Sequence, residues 1–148
     1  MSVFDPRLID ICLEVSDKED TIRKIARLYK EIGVIQDANL FYSKIMEREK
    51  SLSTGIGYGI AVPHLRDETV RELKAGIYLL DREIDYDSLD RKKVKLVVSF
   101  AIPAQGGNEY MKILQKVCKF LHDESNRRSV FSCPDRDSLL QTFRSLEK

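Results

Sequence analysis

VKLVVSFAI (Val94–Ile102) is a nine-residue apolar run, rich in β-branched side chains and broken only by Lys95 and Ser99. It shows neither the alternation of a half-exposed strand nor the spacing of a helix, so it reads as a strand buried on both faces. KAGIYLLD (Lys74–Asp81) has the same character. Strands that are apolar on both sides need a layer of structure above and below them, and the flanking sequence supplies helices for both.

Upstream, LIDICLEV (Leu8–Val15) has strand length, and Ser16-Asp17-Lys18-Glu19 reads as a capping box with Ser16 as N-cap and Glu19 reaching back. Ile22, Ile25, Ala26, Tyr29 and Ile32 then follow helical spacing, and Gly33 stands where the helix should end. A second helix is expected from Asp37 as N-cap to about Lys50, burying Phe41 and Ile45. Three glycines and a proline interrupt the pattern over residues 51–64, where Ile60-Ala61-Val62 has the character of a short strand. Downstream, Pro103–Gly107 is a loop, and Asn108 is placed to cap a helix with the stripe Tyr110, Ile113, Leu114, Val117 and Leu121. A short helix over 124–131 and a last one from Asp135, burying Leu139, Leu140, Phe143 and Leu146, complete the chain. Strands and helices interleave, which predicts an α/β fold of three layers, α/β/α, in a single domain over residues 1–148.

The chain has 148 residues, with 25 Lys+Arg against 24 Asp+Glu. That length is enough for one hydrophobic core without disulfides or a structural metal. A formal charge of +1 argues against bulk electrostatic binding to nucleic acid or anionic lipid, though not against a local basic site. No apolar run reaches the roughly 18 residues of a membrane span, and residues 1–15 lack the apolar core of a signal peptide. The expected location is the cytoplasm, with no membrane insertion and no nucleic-acid partner. Cys12, Cys118 and Cys133 form no C-x-x-C pair and are expected to be buried as small hydrophobes. With only His64 and His122 in the chain, a histidine-rich metal site is not expected; neither metal nor cofactor is called for.

Residues 48–64 carry the chemistry. Gly55-Ile56-Gly57-Tyr58-Gly59 is neither a dinucleotide fingerprint, because no helix follows, nor a P-loop, because G-K-[S/T] is absent. The glycines Gly55, Gly57 and Gly59 would let backbone N–H groups converge on an anion, and Ser53 and Thr54 add hydroxyl donors. Pro63 stiffens the approach to His64, whose imidazole is suited to accept and release a phosphoryl group near neutral pH. Arg48, in the last turn of the preceding helix, offers a planar fork for phosphate oxygens. Taken singly, each residue has a plainer reading: a surface histidine, a turn, one charge on a solvated helix face. The conjunction favours phosphate chemistry. A serine hydrolase built from Ser51 or Ser53 with His64 fits poorly, since no G-x-S-x-G elbow is present.

Arg48-Glu49-Lys50, Ser53-Thr54-Gly55-Ile56-Gly57 and Gly59-Ile60-Ala61-Val62-Pro63-His64 together closely resemble the IIA domains of the sugar phosphotransferase system, fructose/mannitol type (type 2). That group includes the stand-alone IIA proteins of the nitrogen-regulatory branch. Ile102-Pro103-Ala104 and Gly107-Asn108-Glu109 resemble the family's later loop and helix start. The resemblance implies a mixed sheet inside the α/β/α sandwich and a phosphotransferase component working through a phosphohistidine. By it, His64 accepts a phosphoryl group from the phosphocarrier HPr, Arg48 matches the family's arginine, and a IIB domain receives the phosphate. The family carries a second histidine after the Gly-Asn-Glu segment, where this chain has Tyr110. A phenol with a pKa near 10 cannot carry a tunable positive charge near pH 7; Tyr110 is expected to border the site, able to donate a hydrogen bond through its hydroxyl, and under the regulatory alternative it impairs transfer. His122, further along, reads as a surface residue at a helix C-terminus. The alternative is a regulatory module whose phosphorylation state controls a partner such as a kinase or transporter.

Overall fold

The computed structural model describes residues 2–148; of the expected domain only Met1 lies outside the described residues. In chain order the elements are β1 (Phe4–Leu13), α1 (Lys18–Glu31), α2 (Ala38–Ser51), β2 (Gly55–Gly57), β3 (Ile60–Ala61), β4 (His64–Asp67), β5 (Lys74–Ile84) and β6 (Val94–Pro103). Helices α3 (Glu109–His122), α4 (Glu124–Phe131) and α5 (Arg136–Arg144) follow, with a final 3-10 turn at Ser145–Glu147.

The two apolar runs are the centre of the sheet. β5 pairs antiparallel with β6, and β1 adds parallel to β5 at one edge. On the other side of β6 lie β3, with β2 outside it as an antiparallel hairpin, and β4 further along. Side chains alternate faithfully across this plane. Tyr78, Leu80, Val97 and Ala101 pack under α1 and α2 with Ile22, Ile25, Tyr29, Phe41 and Ile45. Ile77, Leu79, Leu96, Val98 and Phe100 pack against α3, α4 and α5 through Ile113, Val117, Leu121, Val130, Leu139 and Phe143. The result is the expected α/β/α sandwich around a mixed sheet.

Several local expectations shift. The first strand starts at Phe4, earlier than expected, and tolerates Pro6 because β1 is an edge strand with one neighbour. The capping box of α1 lies one residue on: Asp17 is the N-cap, accepting from Asp20 N–H at 2.8 Å, and the Asp20 carboxylate accepts from Ser16 N–H at 2.9 Å. An aspartate pair makes the reciprocal bonds assigned to Ser16 and Glu19. Asn108 sits at the start of α3, but its side chain makes no cap hydrogen bond. Val62 falls outside β3. Cys12 is exposed on the edge strand, Cys118 is half-buried on α3 and Cys133 is half-buried in the α4–α5 loop; none is the buried hydrophobe expected. Among the described residues, no helix is long and apolar enough to cross a membrane.

Candidate functional site

β3 and β4 are two halves of one interrupted strand. Ile60 lies opposite Leu96 and His64 opposite Phe100, so the register along β6 continues unchanged through Pro63. Proline has no N–H to give the ladder, but its carbonyl still accepts from Phe100 N–H at 3.0 Å. β2 covers only the first half of this strand. From His64 onward its outer edge is open, and His64 stands half-buried at the start of that opening.

A cavity of about 410 Å³ lies there, lined by Ile45, Arg48 and Glu49 of α2, by Ser51–Thr54, and by Pro63 and His64. The His64 Nδ1 lies 2.8 Å from the Val62 carbonyl oxygen. A carbonyl can only accept, so Nδ1 carries the proton and the neutral ring keeps its lone pair on Nε2. Arg48 is exposed on the last turn of α2, and its guanidinium makes no ion pair or side-chain hydrogen bond among the described residues. The cavity thus holds one oriented nucleophile and one uncommitted cation.

Glu49, beside Arg48 in sequence, points the other way and is buried. Its carboxylate accepts from Thr54 N–H at 2.8 Å and from Thr54 Oγ1, and it faces Lys18 Nζ at 3.9 Å. Lys18 donates to the Tyr86 carbonyl at 3.3 Å and lies over the Tyr86 ring, while Ser53 Oγ donates to the same carbonyl at 2.9 Å. Burial, and then the Glu49 charge, push the Tyr86 hydroxyl well above its ordinary pKa of 10, so it is a neutral member of the network. This buried ion pair forms the floor of the cavity.

The network also explains how the imidazole is held. Val62 N–H donates to the Thr54 carbonyl at 2.9 Å, as in a hydrogen-bonded antiparallel pair. In such a pair the return bond would run from Thr54 N–H to the Val62 carbonyl. Glu49 takes the Thr54 N–H, which frees the Val62 carbonyl for His64. Glu49 is therefore linked through Thr54 to the carbonyl that holds His64, a link that reading the segment locally misses. The only local signal was an acid beside Arg48 on the inward side of the helix, four positions after Ile45.

The structure brings His64, Arg48, Ser53 and Thr54 together, but not the three glycines expected to cradle phosphate. Gly55 is buried in β2, where an added Cβ would strike the Ser88 side chain and come within 2.9 Å of its Cα. Gly57 and Gly59, at φ of +100° and +81°, build the hairpin turn and lie outside the His64 cavity. The free N–H groups near them are spent internally: Tyr58 N–H donates to the Asp90 carboxylate at 3.0 Å. Tyr110 is half-buried at the start of α3 and is likewise not part of the lining. The Arg66 guanidinium lies 5.8 Å from the centroid of its ring, and donates to the carbonyls of Ala104 and Gly106. Arg66 is two residues beyond His64 on β4, on the same side of the strand. His122 is exposed at the end of α3, with its ring edge-on to Tyr58 at 5.9 Å.

The sequence profile described as "Phosphoenolpyruvate-dependent sugar phosphotransferase system, EIIA 2" matches residues 2–146. A fructose-specific EIIA component from Haloferax volcanii is 27% identical over 122 residues, which cover 82% of this chain and 79% of the relative. A nitrogen regulatory protein from Bradyrhizobium diazoefficiens is 26% identical over 134 residues, covering 90% and 87%. The fold is shared with the nitrogen regulatory protein IIA-Ntr of Neisseria meningitidis, at a TM-score of 0.86 and 22% identity, over 99% of this chain and 97% of that one. With the profile spanning nearly all its residues, the chain belongs to the type-2 EIIA family of the phosphoenolpyruvate-dependent sugar phosphotransferase system.

Proposed function

We propose that this protein is a phosphoryl carrier, with His64 Nε2 as the acceptor, HPr or an equivalent phosphohistidine protein as donor, and a IIB-type domain as recipient. The observation that carries this reading is the pairing of an imidazole whose Nδ1 is tied to Val62 with an uncommitted Arg48 across the same cavity. Nε2 attacks the donor's phosphorus, a P–N bond forms on His64, and the P–N bond to the donor's imidazole breaks. The proton stays on Nδ1, hydrogen-bonded to the Val62 carbonyl, throughout, and Arg48 balances the charge on the phosphoryl oxygens. Ser53 and Thr54 face the cavity, but their hydroxyls are engaged with Tyr86 and Glu49, so their contribution is to shape the site.

The test is incubation with phosphoenolpyruvate, Enzyme I and HPr, followed by intact mass. One acid-labile phosphoryl group is expected, absent in His64→Ala; no gain, or a gain that survives the substitution, would refute the assignment. Tyr110→His is expected to speed transfer to a IIB acceptor if the missing second histidine limits it.

The nitrogen-regulatory relative, together with Tyr110, favours a second reading in which phosphorylation of His64 governs a partner such as a kinase or transporter. A phosphoryl group changes the charge of the open edge of β4, and with it the affinity of a docked protein. Pull-downs with wild type, His64→Ala and His64→Asp discriminate: identical partner sets argue against a switch.

A further inference from the structure

A second cavity, of about 520 Å³, opens at the other end of the same interrupted strand. It is lined by Tyr58 and Gly59 of the β2–β3 turn, Glu83, the lysines 92, 93 and 95, and Arg127 and Phe131 of α4. Gly59 precedes the Ile60–Leu96 pair, and His64 lies opposite Phe100, so about 13 Å of strand separates the two cavities. Four cations and one carboxylate line this cavity in a chain whose net charge is +1.

The cations are available. None of the four makes an ion pair among the described residues. Two nearby carboxylates are engaged elsewhere: Asp90 accepts from Tyr58 N–H and Lys92 N–H at 3.0 Å each, and Asp81 accepts from Val15 N–H at 3.1 Å and from Arg82 at 3.4 Å, though Asp90 still feels the charge of Lys92 and Asp81 that of Lys95. Arg127 is held in place by donating to the carbonyls of Leu121 at 2.9 Å and His122 at 2.7 Å. From there its guanidinium lies over the Tyr58 ring, 4.1 Å from the centroid.

The aromatic side is also built rather than incidental. Tyr58 is a non-glycine residue in the left-handed region, φ +59°, between Gly57 and Gly59. A left-handed bulky residue is uncommon and carries strain, and such strain gathers where a side chain must be presented. Tyr58 is 49% exposed at the tip of the hairpin. Polyphosphate alone would meet the lysines but be repelled by Glu83. A nucleotide satisfies all three features: phosphates on the amines, a planar base against Tyr58 or Phe131, and ribose hydroxyls or an exocyclic amine donating to Glu83.

We propose that the cavity formed by Tyr58, Lys93, Lys95, Arg127 and Glu83 binds a nucleoside polyphosphate. This site is independent of phosphorylation on His64 and does not rest on the carrier reading. The probe is ATP, titrated at physiological ionic strength into 15N-labelled full-length protein, with AMP, tripolyphosphate and a glutamate-rich peptide alongside. Saturable shifts are expected around Tyr58, Lys93, Lys95 and Arg127, with a Kd of about 1 mM or tighter, and ATP should bind more tightly than AMP. The double substitution Lys93→Ala/Lys95→Ala and the turn-compatible Tyr58→Asn should each weaken ATP at least tenfold, while Arg48→Ala leaves it unchanged. No saturable binding, tripolyphosphate equal to ATP with Tyr58→Asn silent, a tighter peptide, or loss of binding in Arg48→Ala would each overturn the proposal. The variants' amide spectra report whether each is folded.

Discussion

The two cavities on either side of residues 48–64 are built on opposite plans. At the His64 end the local carboxylate, Glu49, is buried and paired with Lys18, and it takes a backbone N–H that a β-hairpin would otherwise have used. The Ser53 and Thr54 hydroxyls and Glu49 are committed there, while the Nε2 lone pair of His64 and the Arg48 guanidinium remain open to the cavity. At the Tyr58 end Asp90 is spent on backbone N–H groups, while Glu83 and the four cations make no ion pair among the described residues. The first arrangement directs one atom and suits transfer chemistry. The second presents charge over a broad opening and suits binding. The difference lies in which groups the fold has already satisfied, more than in which residue types are present.

The sharpest way to break this contrast is to exchange the consequences. His64→Gln should abolish phosphorylation outright, and Arg48→Ala should slow it by on the order of a hundredfold, through loss of charge stabilisation. Lys93→Ala should leave the rate unchanged. A time course of intact mass checks all three, and a slow Lys93→Ala would dissolve the separation of the two ends.

Glu49→Ala leaves Lys18 buried without its partner, so a loss of about 3–5 kcal/mol is expected in urea denaturation. Lys18→Met in the same chain should recover part of it. Glu49→Ala also returns the Thr54 N–H to Val62, so the 15N spectrum of the His64 ring should lose its single Nδ1–H tautomer. Retention of that tautomer would show that Glu49 does not orient the histidine.

Asp5 offers a milder version of the same device. Its carboxylate takes two bonds from the Arg7 guanidinium, at 2.9 and 2.7 Å, with Lys74 at 3.7 Å. The Arg7 hydrogen bonds hold its pKa down to about 2 from 3.8. A depressed acid contributes stability above its unfolded pKa and loses it as pH falls through the folded one. The window is therefore pH 4 down to 2. Because Arg7 is largely exposed, the stabilisation is discounted to about 1–2 kcal/mol at neutral pH. Asp5→Asn should remove that amount and flatten the acid limb of the stability–pH curve; an unaltered limb would place the titration elsewhere.

The smallest effect is expected at the hairpin tip. Asparagine tolerates the left-handed region better than tyrosine, so Tyr58→Asn should change stability by less than about 1 kcal/mol, as relieved strain offsets the lost Arg127 contact. A larger loss in thermal unfolding would make Tyr58 part of the core packing.

Much of the fold was legible because it is written in short-range signals. Two runs of β-branched apolar residues, helical stripes such as Ile22/Ile25/Tyr29, and aspartates before helices at 37 and 135 all act within a few residues of themselves. His64 and Arg48 stand out in the sequence for the same reason, and the fold sets both on one cavity. The glycines were misread because a free backbone N–H looks the same in sequence whether or not something distant binds it. Asp90 reaches Tyr58 across 32 positions, and Ser88 fills the space beside Gly55. Tyr110 carried no sign that its ring would meet Arg66 rather than line the cavity.

By itself, then, the order of residues determined the layers and singled out His64 and Arg48 as candidates, since periodicity, capping and side-chain chemistry are local properties. Tertiary structure alone decided which donors remained free. It brought Lys18 to Glu49, turned Thr54 from Val62 to Glu49 and so chose the ring nitrogen of His64, and it gathered three lysines, Arg127 and Tyr58 at the far end of the strand. Hydrogen bonds and ion pairs are exclusive, so what a group can offer a ligand depends on partners that only folding brings within reach.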